Sequence, residues 1–406
     1  MEKMIHRGVF FSENSFITTE RCSKIQDSWN WPIVFYICST SMNQSRKKNI
    51  LFIVPYPEGE AGSQRFRFEQ YFGVLKENGF EFEVSSFLSH EAWRILYRKG
   101  YFAKKIGAII AGYLRRLRLL FLMSRYDFVF IHREVSPFGY PWMGWIITKL
   151  LRKNTIFDFD DAIWLANTSE SNWITKFFKR YSNANSLMKW ATVVSAGNKF
   201  LAEYASGFND HVIVNPTTID TTTLHNQVKQ HEDHKFTIGW TGSHSTVQFL
   251  DDIVPVLQEL EKKFDFEFHV IADVAPKFQL KSMKFVKWSK KTEIDDLLRL
   301  NVGIMPLPDN VWTRGKCGFK ALQYMALGIP AVVSNVGVNA EIVDHEVNGC
   351  VCNTADEWYH CLSKLMSDKE YLLRLSKGTR ERIVSGYSLQ SNKDNFLGLF
   401  KPQLQG

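Results

Sequence analysis

The run Ile50-Leu51-Phe52-Ile53-Val54 opens the regular pattern of this 406-residue chain. Five consecutive apolar residues are typical of a strand that is buried on both faces of a parallel sheet. A helix-like stretch over 63–78 follows, and short apolar runs then alternate with helical segments, which indicates βαβ units. The first series of predicted strands comprises 50–54, 80–84, 128–131, 155–157, 192–195 and 211–214.

A second alternating series begins at Phe236, after the polar segment Gln227–Lys235, which we interpret as a linker. Its predicted strands are 236–239, 266–271, 283–286, 302–305, 331–333 and 350–352, and its predicted helices are 247–263, 292–299 and 316–327. Two such series predict an α/β fold of two doubly wound, Rossmann-like domains that face each other across a cleft. Such sheets bind ligands at the carboxyl ends of their strands, so the cleft is the predicted site.

The domain boundaries are predicted from these two series. We expect one domain over 49–226, a second over 235–385, and a C-terminal helix over 386–406 that crosses back to the first domain. Residues 1–48 carry no sustained period and are expected to be an extension outside the fold. Met42 is interpreted as the true start of the chain, and an accessory N-terminal arm is the alternative.

Composition and charge exclude several classes of protein. Apolar residues make up 45%, charged residues 23% and aromatic residues 14%, unlike disordered tails, collagen-like repeats or coiled coils. The net charge of +8 suits a polyanion, an anionic membrane or a phosphorylated ligand. Six cysteines without a CxxC pair or zinc-like spacing predict reduced thiols and a cytoplasmic protein. The sequence shows no secretory signal and no apolar run of the ~18 residues that a spanning helix needs.

Cations crowd the start of the helix predicted over 316–327. Arg314, Lys316 and Lys320 lie at or near its amino end, where each positive charge opposes the helix dipole by about 0.3–1 kcal/mol. A bound anion would reverse that sign, whereas the alternative is a solvated basic face. Because the cluster follows a predicted strand at the cleft edge, we interpret it as an anion site. Gln323 falls on the same helix face as Lys316 and Lys320.

A loop of small residues, Gly239-Trp240-Thr241-Gly242-Ser243-His244-Ser245-Thr246, follows another predicted strand and opens a helix. Gly242 and Ser243 allow the backbone to approach a phosphate, and free N–H groups at a helix start favour an anion. The loop matches neither the Walker pattern nor the dinucleotide-binding glycine pattern. An ordinary βα turn is the alternative.

The second domain resembles a known family. The segment Gly318–Pro330, then Gly337–Val343 and Glu346–Gly349, resembles the donor-binding region of retaining GT-B glycosyltransferases of family 4, the glycosyl transferases group 1. Asn215–Asp220 is similar to the family's Asn-Gly-Val-Asp stretch, which leads into the second domain. The resemblance covers roughly Asn49 to the C-terminus.

The resemblance implies that the second domain binds a nucleotide-sugar donor and the first lies on the acceptor side. The residues it assigns to the donor are Gly242, Ser243, Arg314, Lys316, Lys320 and Gln323. The family carries two glutamates eight positions apart, where this chain has Gly315 and Gln323. Gln323 can still hold the ribose of the nucleotide, whereas Gly315 cannot contact the hydroxyls of the donor sugar. We expect the cations to hold the diphosphate.

In the first domain, the loop Tyr56–Arg67 corresponds to a family loop that lies over the cleft. Gly62, Arg65 and Arg67 are therefore candidates for the acceptor or phosphate side, and exposed arginines at a helix start are the alternative. His132, directly after a predicted strand, looks like the family histidine that contacts the donor sugar near the reacting carbon. A structural histidine is the alternative.

Asp158-Phe159-Asp160-Asp161 resembles the DxD metal motif of the other large glycosyltransferase fold. Here it lies in the first domain, far in sequence from the donor segment, and the GT-B family binds no essential metal. We therefore expect no metal ligand and no cofactor, with Asp160 and Asp161 as loop or acceptor-side residues.

Residues 94–125 form a long basic helical region. Apolar residues recur on one predicted face, flanked by the cations Lys104, Lys105, Arg115, Arg116 and Arg118. This pattern fits a helix on an anionic membrane surface. A packed domain helix with a basic polar face is the alternative, and the two combine if the apolar face is packed and the basic rim meets lipid.

The sequence thus predicts a metal-independent glycosyltransferase that moves a sugar to a glycan or lipid-linked acceptor with retention of configuration. We expect a role in cell-surface polysaccharide biosynthesis, in the cytoplasm or on the inner face of the cell membrane, and no nucleic-acid partner. A nucleotide-sugar epimerase on the same fold and a non-catalytic nucleotide-sugar-binding relative are the alternatives.

Overall fold

The computed structural model describes residues 47–165, 182–231 and 235–401, apart from positions 97 and 99. The predictions about the N-terminal extension and Met42 lie outside the described residues, since they fall within 1–46. The two sheets described below lie in one compact unit of the chain.

The first sheet is parallel and has six strands in the order β2-β1-β3-β4-β5-β6. Its strands are β1 (Lys48–Val54), β2 (Phe80–Ser86), β3 (Phe128–His132), β4 (Asn154–Phe159), β5 (Val193–Ala196) and β6 (Val212–Val214). The chain reverses its direction of winding between β1 and β3, which is the topological switch of a doubly wound sheet.

The second sheet is also parallel, with the order β12-β11-β10-β7-β8-β9. Its strands are β7 (Thr237–Gly242), β8 (Glu267–Ala272), β9 (Met283–Lys287), β10 (Val302–Met305), β11 (Ala331–Ser334) and β12 (Gly349–Cys352). Each of the twelve predicted strands is present, and the predicted α/β, doubly wound class is confirmed.

Helices cover the sheets. Those before β7 are α1 (Gly62–Arg65), α2 (Phe72–Glu77), α3 (His90–Ile95), α4 (Phe102–Leu122), α5 (Trp142–Trp145), α6 (Asn183–Trp190) and α7 (Lys199–Ser206). Those after β7 are α8 (Val254–Leu260), α9 (Glu293–Leu298), α10 (Val311–Arg314), α11 (Phe319–Ala326), α12 (Asn339–Ile342), α13 (Ala355–Ser367), α14 (Lys369–Gly386) and α15 (Leu389–Gly398). In the described part of the chain, none of them has the length and apolar character needed to span a bilayer.

Three predicted helices are shorter in the structure than predicted. The helix predicted over 316–327 begins only at Phe319, as α11, because Gly318 before it adopts a left-handed backbone with φ of 66°. The preceding helix α10 ends at Arg314, before the predicted start. The stretch 63–78 is divided into α1, a 3-10 turn and α2. The stretch 247–263 begins as a 3-10 turn before α8.

Both faces of the first sheet are buried. One face packs against α4, α6 and α7 through residues such as Leu119, Leu187 and Leu201. The other packs against Phe68 and against the C-terminal helix α15, whose Phe396 ring stacks on Tyr71 at a centroid distance of 4.2 Å. The C-terminal helix thus covers one face of the first sheet.

The carboxyl edges of the two sheets face each other. Asp161, just past β4, pairs with Lys316 of the α10–α11 turn at 2.8 Å. Asn198, just past β5, donates from Nδ2 to the backbone oxygens of Gly315 and Lys316 at 3.2 and 3.1 Å. Residues that follow strands of either sheet therefore share one cleft, as the doubly wound pattern predicts.

Candidate active site

A buried polar network lies at the carboxyl ends of β3 and β4. His132 and Asp158 are register partners on the two strands, and His132 Nδ1 lies 2.8 Å from Asp158 Oδ2. The other carboxylate oxygen accepts hydrogen bonds from Arg67 and, at 2.6 Å, from Ser195 Oγ. The side chains of His132, Asp158 and Arg67 are all fully buried.

The network fixes the proton arrangement of His132. Burial by itself raises the pKa of Asp158, but Arg67 and His132 outweigh it, so that the pKa lies well below its usual range. Asp158 is therefore an ionised acceptor, and Nδ1 of His132 donates to it. In the neutral ring Nε2 then carries a lone pair, and this atom is buried without a hydrogen-bond partner among the described residues. In that neutral form His132 offers an acceptor that no described residue uses.

The structure corrects the prediction of an anion contact at Arg67. Its guanidinium donates to Asp158, to the backbone oxygen of Asn215 and, at 3.4 Å, to Ser195 Oγ. Because these partners take up its donors in a fully buried position, Arg67 holds Asp158 in place. It has no exposed face for a ligand.

The other two predicted residues of this loop lie against the second sheet's helices. Arg65 Nη2 pairs with Glu293 Oε2 of α9 at 2.7 Å. A Cβ added at Gly62 would be 3.7 Å from the Phe319 ring, so the backbone there runs close to α11. The loop therefore reaches across the cleft to the predicted donor side.

Lys320 is an unpaired cation at the start of α11. Burial and the neighbouring charge of Lys316 together lower the pKa of its ammonium to about 7, against a smaller opposing effect of Asp161. Among the described residues none forms an ion pair or hydrogen bond with this ammonium, which lies 5.4 Å from the centre of the Trp240 ring. The first turn of α11 has no side-chain cap. A helix start without a side-chain cap, beside a lysine without a described partner, is suited to an anion.

The other two predicted cations already have partners. Lys316 Nζ pairs with Asp161 and lies 3.8 Å from the centre of the Trp312 ring. Arg314 donates from Nε and Nη2 to both oxygens of Asp309, at 2.6 and 2.8 Å, in a half-exposed pair. The structure thus brings Lys316 and Lys320 together, whereas Arg314 is held by its own carboxylate.

Gln323 is buried beside a carboxylate that the sequence analysis did not identify. Its Nε2 donates to Oε1 of Glu293 at 3.2 Å. Its position in the sequence could have identified Glu293 as a candidate, since it is the first residue of a helix that follows the carboxyl end of β9. A glutamine and a glutamate from neighbouring helices therefore lie together at this position.

Gly315 is a glycine for a steric reason. A Cβ at this position would lie 3.0 Å from both N and Cβ of Ala162, in the loop after β4. Any larger side chain at this position would therefore crowd the loop after β4. The same loop brings the Asp161 carboxylate to the adjacent residue, Lys316.

The β7 turn is tightly built. A Cβ on Gly242 would come within 2.3 Å of the Trp240 ring, so only glycine fits. Ser243 Oγ lies 2.9 Å from Ser245 Oγ, and the Ser243 N–H donates to Thr246 Oγ1 at 3.2 Å. The backbone after β7 is thereby held at the carboxyl edge, next to Trp240 and Lys320.

The three aspartates after and within β4 each have a cationic partner. Asp158 pairs with Arg67, Asp160 with Arg133 at 2.6 Å, and Asp161 with Lys316. The described residues contain no group of three or more His, Cys, Asp or Glu side chains arranged to hold a metal ion. In the sequence these partners are remote, and only the fold brings them together.

Part of the chain matches a known protein family. Residues 235–368 match the family model of glycosyl transferases group 1. The match covers the second sheet with Lys320 and Gln323. Among proteins with curated descriptions, none matches this chain.

Solved structures resemble nearly the whole described fold. Sucrose-phosphate synthase from Thermosynechococcus elongatus superimposes with a TM-score of 0.64 over 87% of this chain and 98% of its own, at 12% identity. A glycosyltransferase from Rickettsia africae gives 0.61 over 88% and 100%, at 14% identity. The catalytic domain of starch synthase IV from Arabidopsis thaliana, bound to ADP and acarbose, gives 0.62 over 87% and 99%, at 11% identity. The fold is the predicted GT-B fold.

Proposed function

We propose that this protein is a glycosyltransferase that moves a sugar from a nucleotide-sugar donor to a glycan or lipid-linked acceptor, with retention of configuration, in cell-surface polysaccharide biosynthesis. The observation that carries the proposal is the free ammonium of Lys320 at the uncapped start of α11. It lies in the cleft that also holds the unused acceptor of His132. The group 1 match over 235–368 supports the same reaction class.

The donor diphosphate binds at the start of α11. Lys320 and the N–H groups of the first helical turn contact the phosphates, and the phosphates draw Lys316 from Asp161. Gln323 and Glu293 hold the ribose hydroxyls, and the backbone at Gly242 and Ser243 lies close to the phosphates. Arg314 contributes only when it leaves Asp309.

Catalysis then depends on charge placement. The cations and the helix start stabilise the departing diphosphate, and a donor phosphate oxygen helps to deprotonate the acceptor hydroxyl. His132 Nε2 is buried in this structure and must be uncovered when the donor binds; it then accepts a hydrogen bond from a hydroxyl of the donor sugar, which orients the reacting carbon. Asp161 supplies, from the first domain, the carboxylate that Gly315 cannot supply.

The test is incubation with a panel of nucleotide sugars, with and without glycan acceptors. A transferase releases nucleoside diphosphate, and it does so faster when a suitable acceptor is present. An epimerase would convert the donor without releasing diphosphate, and a binding protein would do neither. Either of those two results would reject the proposal.

Replacing Lys320 by Met should weaken nucleoside diphosphate binding by about 10- to 100-fold, because a hydrogen bond to a charged group contributes roughly 1.5–3 kcal/mol. Without ligand, the variant should melt at the same temperature as wild type or higher, since the substitution removes a partly desolvated ammonium that has no described partner. Calorimetry and thermal melting measure the two effects. Lys262→Met, which breaks an exposed pair with Glu259, is the control. Unchanged affinity in Lys320→Met would contradict the assignment.

Transfer should not require a divalent metal. Lys320, Lys316 and the α11 start supply the positive charge that a metal would otherwise bring to the diphosphate, and Asp160 already pairs with Arg133. We expect diphosphate release to persist in EDTA. Loss of activity in EDTA, with recovery on adding Mn²⁺ or Mg²⁺, would show that the aspartates bind a catalytic metal.

A further inference from the structure

The long helix α4 exposes a row of large apolar side chains to solvent. Phe102 is 75% exposed, Ile106 57%, Ile110 55%, Leu114 60% and Phe121 86%. The spacing of three or four residues, completed by Leu117, keeps them on one side of the helix. At 1.5 Å per residue the row is about 30 Å long. We call these six residues the α4 stripe.

The opposite side of α4 is anchored by polar groups and close packing. Arg116 is buried and donates to the backbone oxygens of Val54, Ser85 and Val135 at 2.8 to 2.9 Å. Gly112 lies against the Phe87 ring, where a Cβ would come within 2.7 Å. The orientation of α4 is therefore fixed, with the stripe outward.

This orientation excludes the alternative in which the apolar face of α4 is packed and a basic rim meets lipid. Arg116 is fully buried, and Arg115 donates to the backbone oxygens of Ser86 and Phe87 at 2.6 and 2.9 Å. Lys104 and Arg118 are exposed, as predicted. Helices of water-exposed domains normally bury their apolar face, so the outward stripe indicates an interaction surface.

The surroundings of the stripe favour an anionic partner. No Asp or Glu occurs between Glu91 and Asp127, whereas this interval holds nine Lys and Arg residues. The helix α5 packs on the same face of the sheet and exposes Trp142 by 39% and Trp145 by 45%. Exposed Trp, long apolar side chains and surrounding cations are the features of surfaces that enter the headgroup region of anionic bilayers.

We propose that the α4 stripe docks on an anionic lipid surface, with the helix lying in the plane of the membrane. Arg116 contacts the carboxyl ends of β1 and β2, and α4 runs antiparallel to the strands, so the part of the helix before Arg116 extends past that edge. The candidate site is at the same edge, so docking brings the site close to the bilayer. That consequence depends on the proposed function, whereas docking itself does not.

Flotation with lipid vesicles tests the docking. Wild type should float with vesicles of equal parts phosphatidylglycerol and phosphatidylcholine at low salt, and much less with pure phosphatidylcholine. Binding should fall as salt rises, because screening shortens the reach of charges to roughly 3 Å at 1 M. Ile110→Gln with Leu114→Gln should reduce binding at least tenfold, and Lys104→Gln with Arg118→Gln several-fold.

The control is Val347→Gln with Val384→Gln, which changes two exposed apolar residues elsewhere and should leave flotation unchanged. Circular dichroism and turnover with a water-soluble acceptor should be the same for all variants, which separates this test from that of the transferase. No binding of wild type at low salt, or equal binding by the stripe variant, would overturn the proposal. A wild-type dimer that the stripe variant dissociates, without vesicle binding, would assign the stripe to a second copy and overturn it too.

Discussion

Replacing His132 by Asn should lower turnover by about 100-fold or more, the usual effect of removing one preorganised hydrogen bond to the transition state. Asparagine can keep the donor that Nδ1 offers to Asp158 but has nothing at the position of Nε2. The buried network should therefore survive while the contact to the donor sugar is lost. Steady-state rates of diphosphate release measure the effect.

Binding of the nucleoside diphosphate should change by less than about twofold in the same variant, because the diphosphate contacts lie at α11. His269→Asn is the matched control, since His269 is also buried but contacts Glu267 in the amino half of β8. Near wild-type turnover in His132→Asn would remove His132 from the reaction and leave it a structural histidine.

Asp158→Ala should destabilise the protein by about 3–5 kcal/mol, because Arg67 then remains a buried charge without its counterion. The folded-state pKa of Asp158 lies below the unfolded value of about 3.9, so its stabilising contribution is present above that pH and is lost as the pH falls. Urea unfolding near neutral pH measures the difference.

The double variant Arg67→Met with Asp158→Leu should be less destabilised than Asp158→Ala, because it leaves no unpaired charge. Asn215 and Ser195 would lose Arg67 as a donor only in the double variant. If the free energy of unfolding of Asp158→Ala is within about 1 kcal/mol of the wild-type value, water reaches this network. The buried pair is then not what stabilises the edge of β4.

The strands were predictable because a buried parallel strand is recorded in the sequence as a short apolar run, as at 50–54. The start of α11 at Phe319 was not, because the helical pattern continues through Gly318 and only the left-handed backbone of this residue delays the helix. Which face of α4 packs against the domain was also not predictable. A period of 3.6 shows that two faces of a helix differ but not which one is buried.

Single residues of the candidate site could be proposed from the sequence, since His132 directly follows a predicted strand and Lys320 and Gln323 share one face of a predicted helix. Their roles stay predictions. The pairs were not predictable, because Arg67 and Asp158 are 91 residues apart and Glu293 and Gln323 are 30 apart. Their meeting depends on strand order and on closure of the cleft, which no local pattern encodes.

Proton uptake on diphosphate binding tests the central claim most directly. Free Lys320 has its pKa lowered to about 7, so at pH 8 most molecules carry it neutral, and a bound diphosphate raises that pKa by favouring the charged form. Calorimetry at pH 8 in two buffers of different ionisation enthalpy should show uptake of nearly one proton by wild type and of almost none by Lys320→Met. Binding by wild type without proton uptake, or equal uptake by the variant, would contradict the placement of the diphosphate at the start of α11.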